Sequence, residues 1–318
     1  MDSHELFFEP TLKQITTWSR GVILIKDGRD VPFVLAEAGR KDGKFVQAFE
    51  NYVDLPDRVN VPVSSFARIA TEPIETRFLY ENSAHDVVVI LEESLVRGPI
   101  LNNIVNGAVL VVNTKRSAKE IAKFIEKHPH LKSIVTVDAS KTGKAAFTLS
   151  GQEGATDATG IGGGYAGPLA GAVCKATGLV SIESLLAVAK VPAACQFGYD
   201  TCIIADAQEI FKSGIGKPFT GDKPAKVILE APFAGTVPAP DKRNTMMMTG
   251  TWRLERPVLT ESLCTQCMVC MLNCPDNCIS LTPEAVQVDY DYCKGCGLCT
   301  ATCPTDAFKD EPELNFVS

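Results

Sequence analysis

The chain has 318 residues, of which 45% are hydrophobic and 22% charged, the composition of a folded protein with two or three domains. Its formal net charge of −7 argues against nucleic acid or an anionic membrane surface as a partner. The longest apolar runs are of strand length, and the first residues carry no basic and apolar leader. We therefore expect no membrane span, no secretory signal and a cytoplasmic location.

Short β-branched runs alternate with helical patterns between residues 18 and 215. The predicted strands are four apolar runs, at Gly21–Ile25, His85–Leu91, Ala108–Val112 and Ser133–Val137. Ser117 and Ser181 are placed to cap two helices. Strands that are apolar on both faces and separated by helices predict an α/β domain with a mostly parallel sheet, which we place at residues 1–216.

A proline-rich segment follows at residues 217–251. Five prolines lie between Pro218 and Pro240, and Val227–Leu229 is the one strand-like run among them. Proline fixes φ and removes an amide donor, so we predict an extended connection that packs over another surface. A flexible linker is the alternative.

Two cysteine motifs dominate residues 252–318. The first, C-x2-C-x2-C-x3-C-P, runs from Cys264 to Pro275, and its copy begins 29 residues later at Cys293 and ends at Pro304. This spacing is typical of bacterial ferredoxins with two [4Fe–4S] clusters, in which the fourth cysteine of each motif ligates the other cluster. It predicts a small α+β ferredoxin domain. A zinc site is the alternative for paired cysteines, but zinc requires neither the third cysteine of each C-x2-C-x2-C run nor the proline that follows the fourth cysteine.

If the fourth cysteine of each motif binds the cluster of the other motif, each predicted cluster has four cysteine ligands. The ligands of cluster 1 are Cys264, Cys267, Cys270 and Cys303. The ligands of cluster 2 are Cys293, Cys296, Cys299 and Cys274. Nine of the twelve cysteines fall in this part of the chain, and in a reducing compartment that concentration favours metal ligation over disulfides.

The other four cysteines are not predicted to be ligands. Cys278 aligns with Ala307 under the 29-residue offset, so we expect a buried packing thiol. Cys174, Cys195 and Cys202 have no ligand spacing and are expected in the core. A redox role for Cys195 and Cys202 is the alternative.

Motifs for carbon chemistry are missing from the sequence. It contains no dinucleotide-binding fingerprint, no P-loop and no recognisable nucleophile–base set. The glycine-rich stretch Gly160–Gly167 lacks both phosphate-binding registers and is predicted to be a flexible loop, with an anion-binding nest as the alternative. We therefore assign no catalytic residue and no organic cofactor to this chain, and predict an electron conduit joined to a binding or scaffolding domain.

Eight short stretches resemble two subunits of one enzyme family, the 2-oxoacid:ferredoxin oxidoreductases. Four resemble its delta subunit: Thr249–Arg253, Arg256–Val258, Cys274–Asp276 and Val288–Cys296. Four are similar to its gamma subunit: Lys44–Phe49, Val111–Lys115, Val137–Ala139 and Lys175–Leu185. Together they span most of the chain, which resembles a gamma–delta fusion.

The resemblance implies a thiamine diphosphate enzyme that cleaves a C–C bond beside a carbonyl and passes the electrons to ferredoxin. Thiamine diphosphate and Mg²⁺ are then expected on alpha- and beta-type partner subunits, because this chain has no thiamine-binding G-D-G…N pattern. Two alternatives stay open: a free-standing iron–sulfur carrier, and the iron–sulfur subunit of an unrelated oxidoreductase such as a hydrogenase.

Two gamma-subunit motifs are altered in this sequence. Trp18–Leu24 stands where the family has G-R-G-G-Q-G, and Pro56–Pro62 stands where it has P-E-R-R-G-A-P. Many members hold coenzyme A in this domain, and its phosphates need glycine amides and arginines. The losses predict a member that works without coenzyme A, such as an oxalate oxidoreductase. The alternative is a diverged loop in a coenzyme A-dependent pyruvate or other 2-oxoacid enzyme.

Overall fold

A computed structural model describes residues 9–21, 24–51, 61–76, 81–82, 84–141, 164–221, 248–282 and 286–316. The chain divides into two compact units, one ending at Thr220 and one covering Gly221–Phe316. Most of the predicted proline-rich connection, including Val227–Leu229, lies outside the described residues, and so does the start of the glycine-rich stretch. In the described ranges no helix combines the length and the apolarity that a membrane span requires.

The first unit is built on a seven-stranded sheet. Its strands are β1 Lys13–Arg20, β2 Phe45–Glu50, β3 Pro62–Ala70, β4 His85–Ile90, β5 Ile104–Asn113, β6 Leu131–Val137 and β7 Ile203–Asp206, in the spatial order β2-β3-β1-β4-β5-β6-β7. Strands β1, β4, β5 and β6 pair in parallel. Strand β3 is antiparallel to both β1 and β2, and β7 is antiparallel to β6. Five strands therefore run in one direction, and the predicted, mostly parallel α/β sheet is confirmed.

The central strands are buried on both faces of the sheet. In β4 the consecutive residues Val87–Ile90 are all at most 1% exposed, and Val109–Val112 in β5 are buried as well. Because neighbouring side chains of a strand point to opposite faces, such runs require cover on both sides. This explains why the strands read as continuous apolar runs in the sequence.

Six α-helices in the described residues, with the 3-10 helix Glu93–Arg97, accompany the sheet. The α-helices are α1 Ile25–Lys41, α2 Ala118–Ala122, α3 Ala166–Thr177, α4 Ile182–Val188, α5 Pro192–Thr201 and α6 Ala207–Lys212. Both predicted caps are present: Ser117 forms a capping box with Glu120, and the Ser181 hydroxyl accepts a hydrogen bond from the Ser184 amide at 3.2 Å. Helix α3 ends at Thr177 and is capped by Gly178, whose φ of 63° suits glycine.

The first predicted strand, Gly21–Ile25, is wrong. Strand β1 ends at Arg20, and Ile25 already begins helix α1. The true strand was hidden because its buried side chains include Thr16, Thr17 and Ser19. A five-residue apolar run cannot distinguish a strand from the start of a buried helix.

The second unit is a small α+β fold, as predicted. Strand β8 Glu255–Leu259 pairs with β11 Phe308–Pro312, and β9 Ile279–Leu281 pairs with β10 Val286–Val288, both antiparallel. Two one-turn helices, α7 Val269–Leu272 and α8 Leu298–Ala301, each begin inside a cysteine motif. The core of this unit consists of Ile279, Val286 and Phe308 together with four of the cysteines.

Candidate metal centre

The two cysteine motifs share a backbone conformation as well as a spacing. Three pairs of residues, each pair 29 positions apart, have positive φ angles between 48° and 73°. Left-handed residues reverse the chain within a few positions, which lets each motif wrap around a centre. The pairs are Gln266 with Gly295, Met268 with Gly297, and Asn277 with Asp306.

The predicted ligands of cluster 1 line one cavity, the first recess. Three cysteines of the first motif and the last cysteine of the second motif line this recess: Cys264, Cys267, Cys270 and Cys303. Leu259, Val286 and Phe308 supply an apolar wall. Cys270 lies buried at the inner end, whereas Cys267 is exposed.

The predicted ligands of cluster 2 line a second recess. They are Cys293, Cys296 and Cys299 of the second motif with Cys274 of the first. Cys299 is buried and Cys296 exposed, as in the first recess. Here Asp276 and Lys294 also line the cavity and form an ion pair at 3.3 Å.

The donor chemistry of both recesses fits an iron–sulfur cluster. Each recess offers four cysteine sulfurs, the soft ligands that hold such clusters. Within the described residues no three His, Cys, Asp or Glu side chains converge on a point suited to a single metal ion. The four thiols instead ring a cavity, with three corners from one motif and the fourth from the other.

Burial acts on the protonation of these thiols. It raises the pKa of Cys270, and it raises the pKa of Cys299 to about 12. Burial also raises the pKa of Cys303, but hydrogen bonds from backbone amides outweigh this effect, so that the pKa of Cys303 is lowered. One of those amides, that of Ala307, donates to the Cys303 sulfur at 3.2 Å. Because a ligand must be a thiolate, loading the inner cysteines has to release protons.

Cys278 occupies the second recess beside two predicted ligands. It is 6% exposed, as predicted for a packing thiol, but it also lines the cavity. Its sulfur lies 3.4 Å from that of Cys274. The neighbouring Cys293 thiol raises the pKa of Cys278, and Cys278 in turn lowers the pKa of Cys293. The sequence offset located the residue but gave no sign of these contacts.

A buried ion network, absent from the sequence-based prediction, supports the second motif. Glu313 is fully buried and accepts hydrogen bonds from Arg253 at 2.8 Å and from Arg256 at 2.7 Å. Arg253 also donates to the backbone carbonyls of Cys293 at 2.6 Å and Tyr290 at 2.5 Å. The network thus ties the end of the chain to the loop that carries the second motif. Both arginines belong to the delta-like stretches, but their acidic partner was not identifiable by pattern.

The carboxyl edge of the large sheet carries paired arginines. Arg20, at the end of β1, is fully buried, and its guanidinium donates to Glu92 at 3.1 Å and to Ser94 at 2.5 Å. Arg116, beyond the end of β5, lies 3.3 Å from Glu93. An anion binding to either guanidinium would have to compete with a carboxylate already in place.

The three cysteines of the first unit are core residues, as predicted. Cys174, Cys195 and Cys202 are buried free thiols. Burial raises the pKa of Cys174 to about 11 and that of Cys195 to about 12, so both are neutral at physiological pH.

Comparison with known proteins identifies both parts of the chain. Residues 32–194 match the family described as pyruvate ferredoxin/flavodoxin oxidoreductase, and residues 263–307 match the 4Fe-4S dicluster domain. The pyruvate synthase subunit PorD of Thermotoga maritima is 41% identical over 90 residues, which is 28% of this chain and 90% of that protein. The common gamma subunit of the pyruvate/ketoisovalerate oxidoreductases of Thermococcus kodakarensis is 34% identical over 160 residues, 48% of this chain and 72% of that protein.

One solved structure is also similar to this chain. The pyruvate oxidoreductase subunit PORC of Thermotoga maritima is 22% identical to this chain, with a TM-score of 0.48. The match covers 61% of this chain and 99% of the other.

Proposed function

The chain belongs to the pyruvate ferredoxin/flavodoxin oxidoreductase family, and from this premise we propose that it is the gamma–delta electron-transfer subunit of a thiamine-dependent complex. The observation that carries the proposal is the pair of four-cysteine recesses, each completed by one cysteine from the opposite motif. When bound there, two [4Fe–4S] clusters supply one-electron relays between the partner subunits and ferredoxin.

In this proposal each recess has its own ligand set. Cys264, Cys267, Cys270 and Cys303 hold the first cluster, and Cys293, Cys296, Cys299 and Cys274 hold the second. The apolar wall of Leu259, Val286 and Phe308 in the first recess limits the access of water to the buried Cys270. Arg253 orients the second motif through the Cys293 carbonyl. The domain limits of 1–216, 217–251 and 252–318 belong to the same proposal.

The division of labour follows from what the sequence lacks. No motif for a thiamine, nucleotide or nucleophilic site is present, so the carbon chemistry is assigned to alpha- and beta-type subunits that carry thiamine diphosphate and Mg²⁺. We place the complex in the cytoplasm, because the eight proposed ligand cysteines must stay reduced to bind iron. Co-purification with two thiamine-containing subunits separates this function from that of a free-standing carrier.

For the substrate, we propose a reaction that does not use coenzyme A, with oxalate as the first candidate. The Arg20 side chain in the altered loop is buried against Glu92 and Ser94, and Arg116 is paired with Glu93. Each lost charge-assisted hydrogen bond to a phosphate removes about 1.5–3 kcal/mol of binding. Two or three such losses weaken coenzyme A binding by roughly two to six powers of ten. Oxalate releases two CO₂ and leaves no acyl group for a thiol.

A coenzyme A-dependent reaction of pyruvate or another 2-oxoacid is the second candidate. The observation in its favour is that relatives of both halves are named as pyruvate or pyruvate/ketoisovalerate enzymes.

The test is ferredoxin reduction by the assembled complex with oxalate, pyruvate or 2-oxoglutarate, each with and without coenzyme A. We expect turnover with oxalate at a rate that coenzyme A does not change. The isolated chain should neither bind thiamine diphosphate nor decarboxylate any of the three acids. Coenzyme A-dependent turnover of pyruvate, together with no activity on oxalate, would favour the second candidate. Turnover by the isolated chain would overturn the division of labour itself.

A further inference from the structure

The two recesses differ at one buried position that faces the predicted ligands. In the second recess that position is Cys278, and its counterpart 29 residues later in the first recess is Ala307, which is 1% exposed. Both residues present the same backbone contact. The Cys278 amide donates to the Cys274 sulfur at 3.4 Å, and the Ala307 amide donates to the Cys303 sulfur at 3.2 Å. The Cys278 side chain is therefore an added group on an otherwise repeated frame.

The Cys278 sulfur contacts one of the four sulfurs assigned to the second cluster and lines the same recess as the other three. It lies 3.4 Å from the Cys274 sulfur, within the range of a sulfur hydrogen bond. When Cys274 and Cys293 act as ligands they are thiolates and carry no proton. The only S–H group left among these three sulfurs is then that of Cys278.

We propose that the Cys278 thiol donates a hydrogen bond to the Cys274 sulfur of the second cluster and makes that cluster easier to reduce than alanine at this position would. The inference rests on the proposed ligand sets. Hydrogen bonds to the sulfurs are among the factors that set the potential of an iron–sulfur centre. One added electron makes the sulfurs more negative, so a buried donor stabilises the reduced form more than the oxidised form. The proton stays on Cys278, and one electron is taken up.

Two other roles for Cys278 predict different results. If it only fills space, alanine at position 278 changes the stability of the fold but not the potential. If it is itself a ligand in place of Cys274, alanine removes iron. The first motif offers the reciprocal experiment, because A307C places a thiol at the matching position of the other recess.

The experiment is an anaerobic titration of the full chain with dithionite, a one-electron reductant, followed by electron paramagnetic resonance. Native chain is compared with C278A, C278S and A307C after iron analysis. In C278A the reduced-to-oxidised ratio of one cluster at fixed potential should fall about threefold to tenfold, which for a one-electron couple is ~28–59 mV. C278S keeps a donor and should stay close to the native potential, whereas A307C should raise the potential of the other cluster.

Each outcome decides between the roles. A shift in C278A that is restored in C278S, with full iron content, supports the hydrogen bond. Equal potentials in native chain, C278A and C278S overturn it, and so does loss of iron in C278A. If the native chain itself binds no iron, the proposed function fails instead, before the potentials are compared. Should A307C not fold, the comparison of C278A with C278S still decides.

Discussion

The buried carboxylate of Glu313 provides a sharp quantitative test of how the second unit is held together. Its side chain is fully buried and is shared by Arg253, 3% exposed, and Arg256, 18% exposed. Glu313→Ala removes the carboxylate that both guanidinium groups contact. Truncating one member of a buried ion pair costs about 3–5 kcal/mol, because a charge is left buried and uncompensated.

At 1.4 kcal/mol per tenfold change, this loss raises the opening constant of the second unit by about 10²–10⁴. Hydrogen exchange followed by mass spectrometry measures that constant on the intact, cluster-loaded chain. The reporter peptides cover the paired strands β8 and β11, which contact the network directly. Glu313→Gln keeps the shape and part of the hydrogen bonding but not the charge, so its effect should lie between native and alanine.

The control is an exposed pair of the same chemistry. Glu37 accepts two hydrogen bonds from Arg40, the shorter at 2.7 Å, but the two side chains are 54% and 70% exposed. Glu37→Ala should leave the exchange of both units close to native, since water replaces the lost partner. Exchange of β8 and β11 in Glu313→Ala within about threefold of native would refute the reasoning that burial makes this network strong.

Three further predictions concern single residues. Cys303→Ser should remove the cluster held mainly by the first motif, and Cys274→Ser should remove the cluster held mainly by the second, with a loss of about four irons in each variant. Loss of the same paramagnetic signal in both variants would contradict the exchange of the fourth cysteine between the motifs. Burial lowers the pKa of His85 to about 4 from 6.5. The unfolded chain therefore binds this proton below pH 6.5, whereas the folded chain binds it only near pH 4. As the pH falls from 6.5 to 4, the free energy of unfolding should decrease by up to about 3 kcal/mol. In urea unfolding, His85→Gln should lose this pH dependence. Cys174 and Cys195 should resist alkylation at pH 8 until the chain is denatured, as read by mass spectrometry, and reaction in the native state would contradict their burial.

Local patterns predicted those parts of the structure that depend on neighbouring residues. The apolar run at Val87–Ile90 indicated a strand buried on both faces, and Ser117 indicated a helix start. The cysteine spacing grouped the same residues that the fold brings around each recess, because one loop geometry recurs in both motifs.

The features that the sequence did not predict depend on contacts between distant residues, or on strands whose side chains depart from the usual pattern of buried apolar residues. Strand β1 was overlooked because Thr17 and Ser19 are buried in it, and β7 because Ile203 and Ile204 remain exposed at the sheet edge. Arg253 and Glu313 lie 60 residues apart, so no local pattern links them. The contact of Cys278 with the Cys274 sulfur likewise appears only when the loop is folded.

The central claim is that this chain holds two iron–sulfur clusters in the two recesses. The direct measurement is metal analysis of anaerobically purified full-length chain, combined with paramagnetic resonance after reduction. We predict about eight irons per chain and the signals of two interacting clusters. Stoichiometric zinc with little iron would contradict the account, because tetrahedral zinc explains paired cysteines without any role in electron transfer.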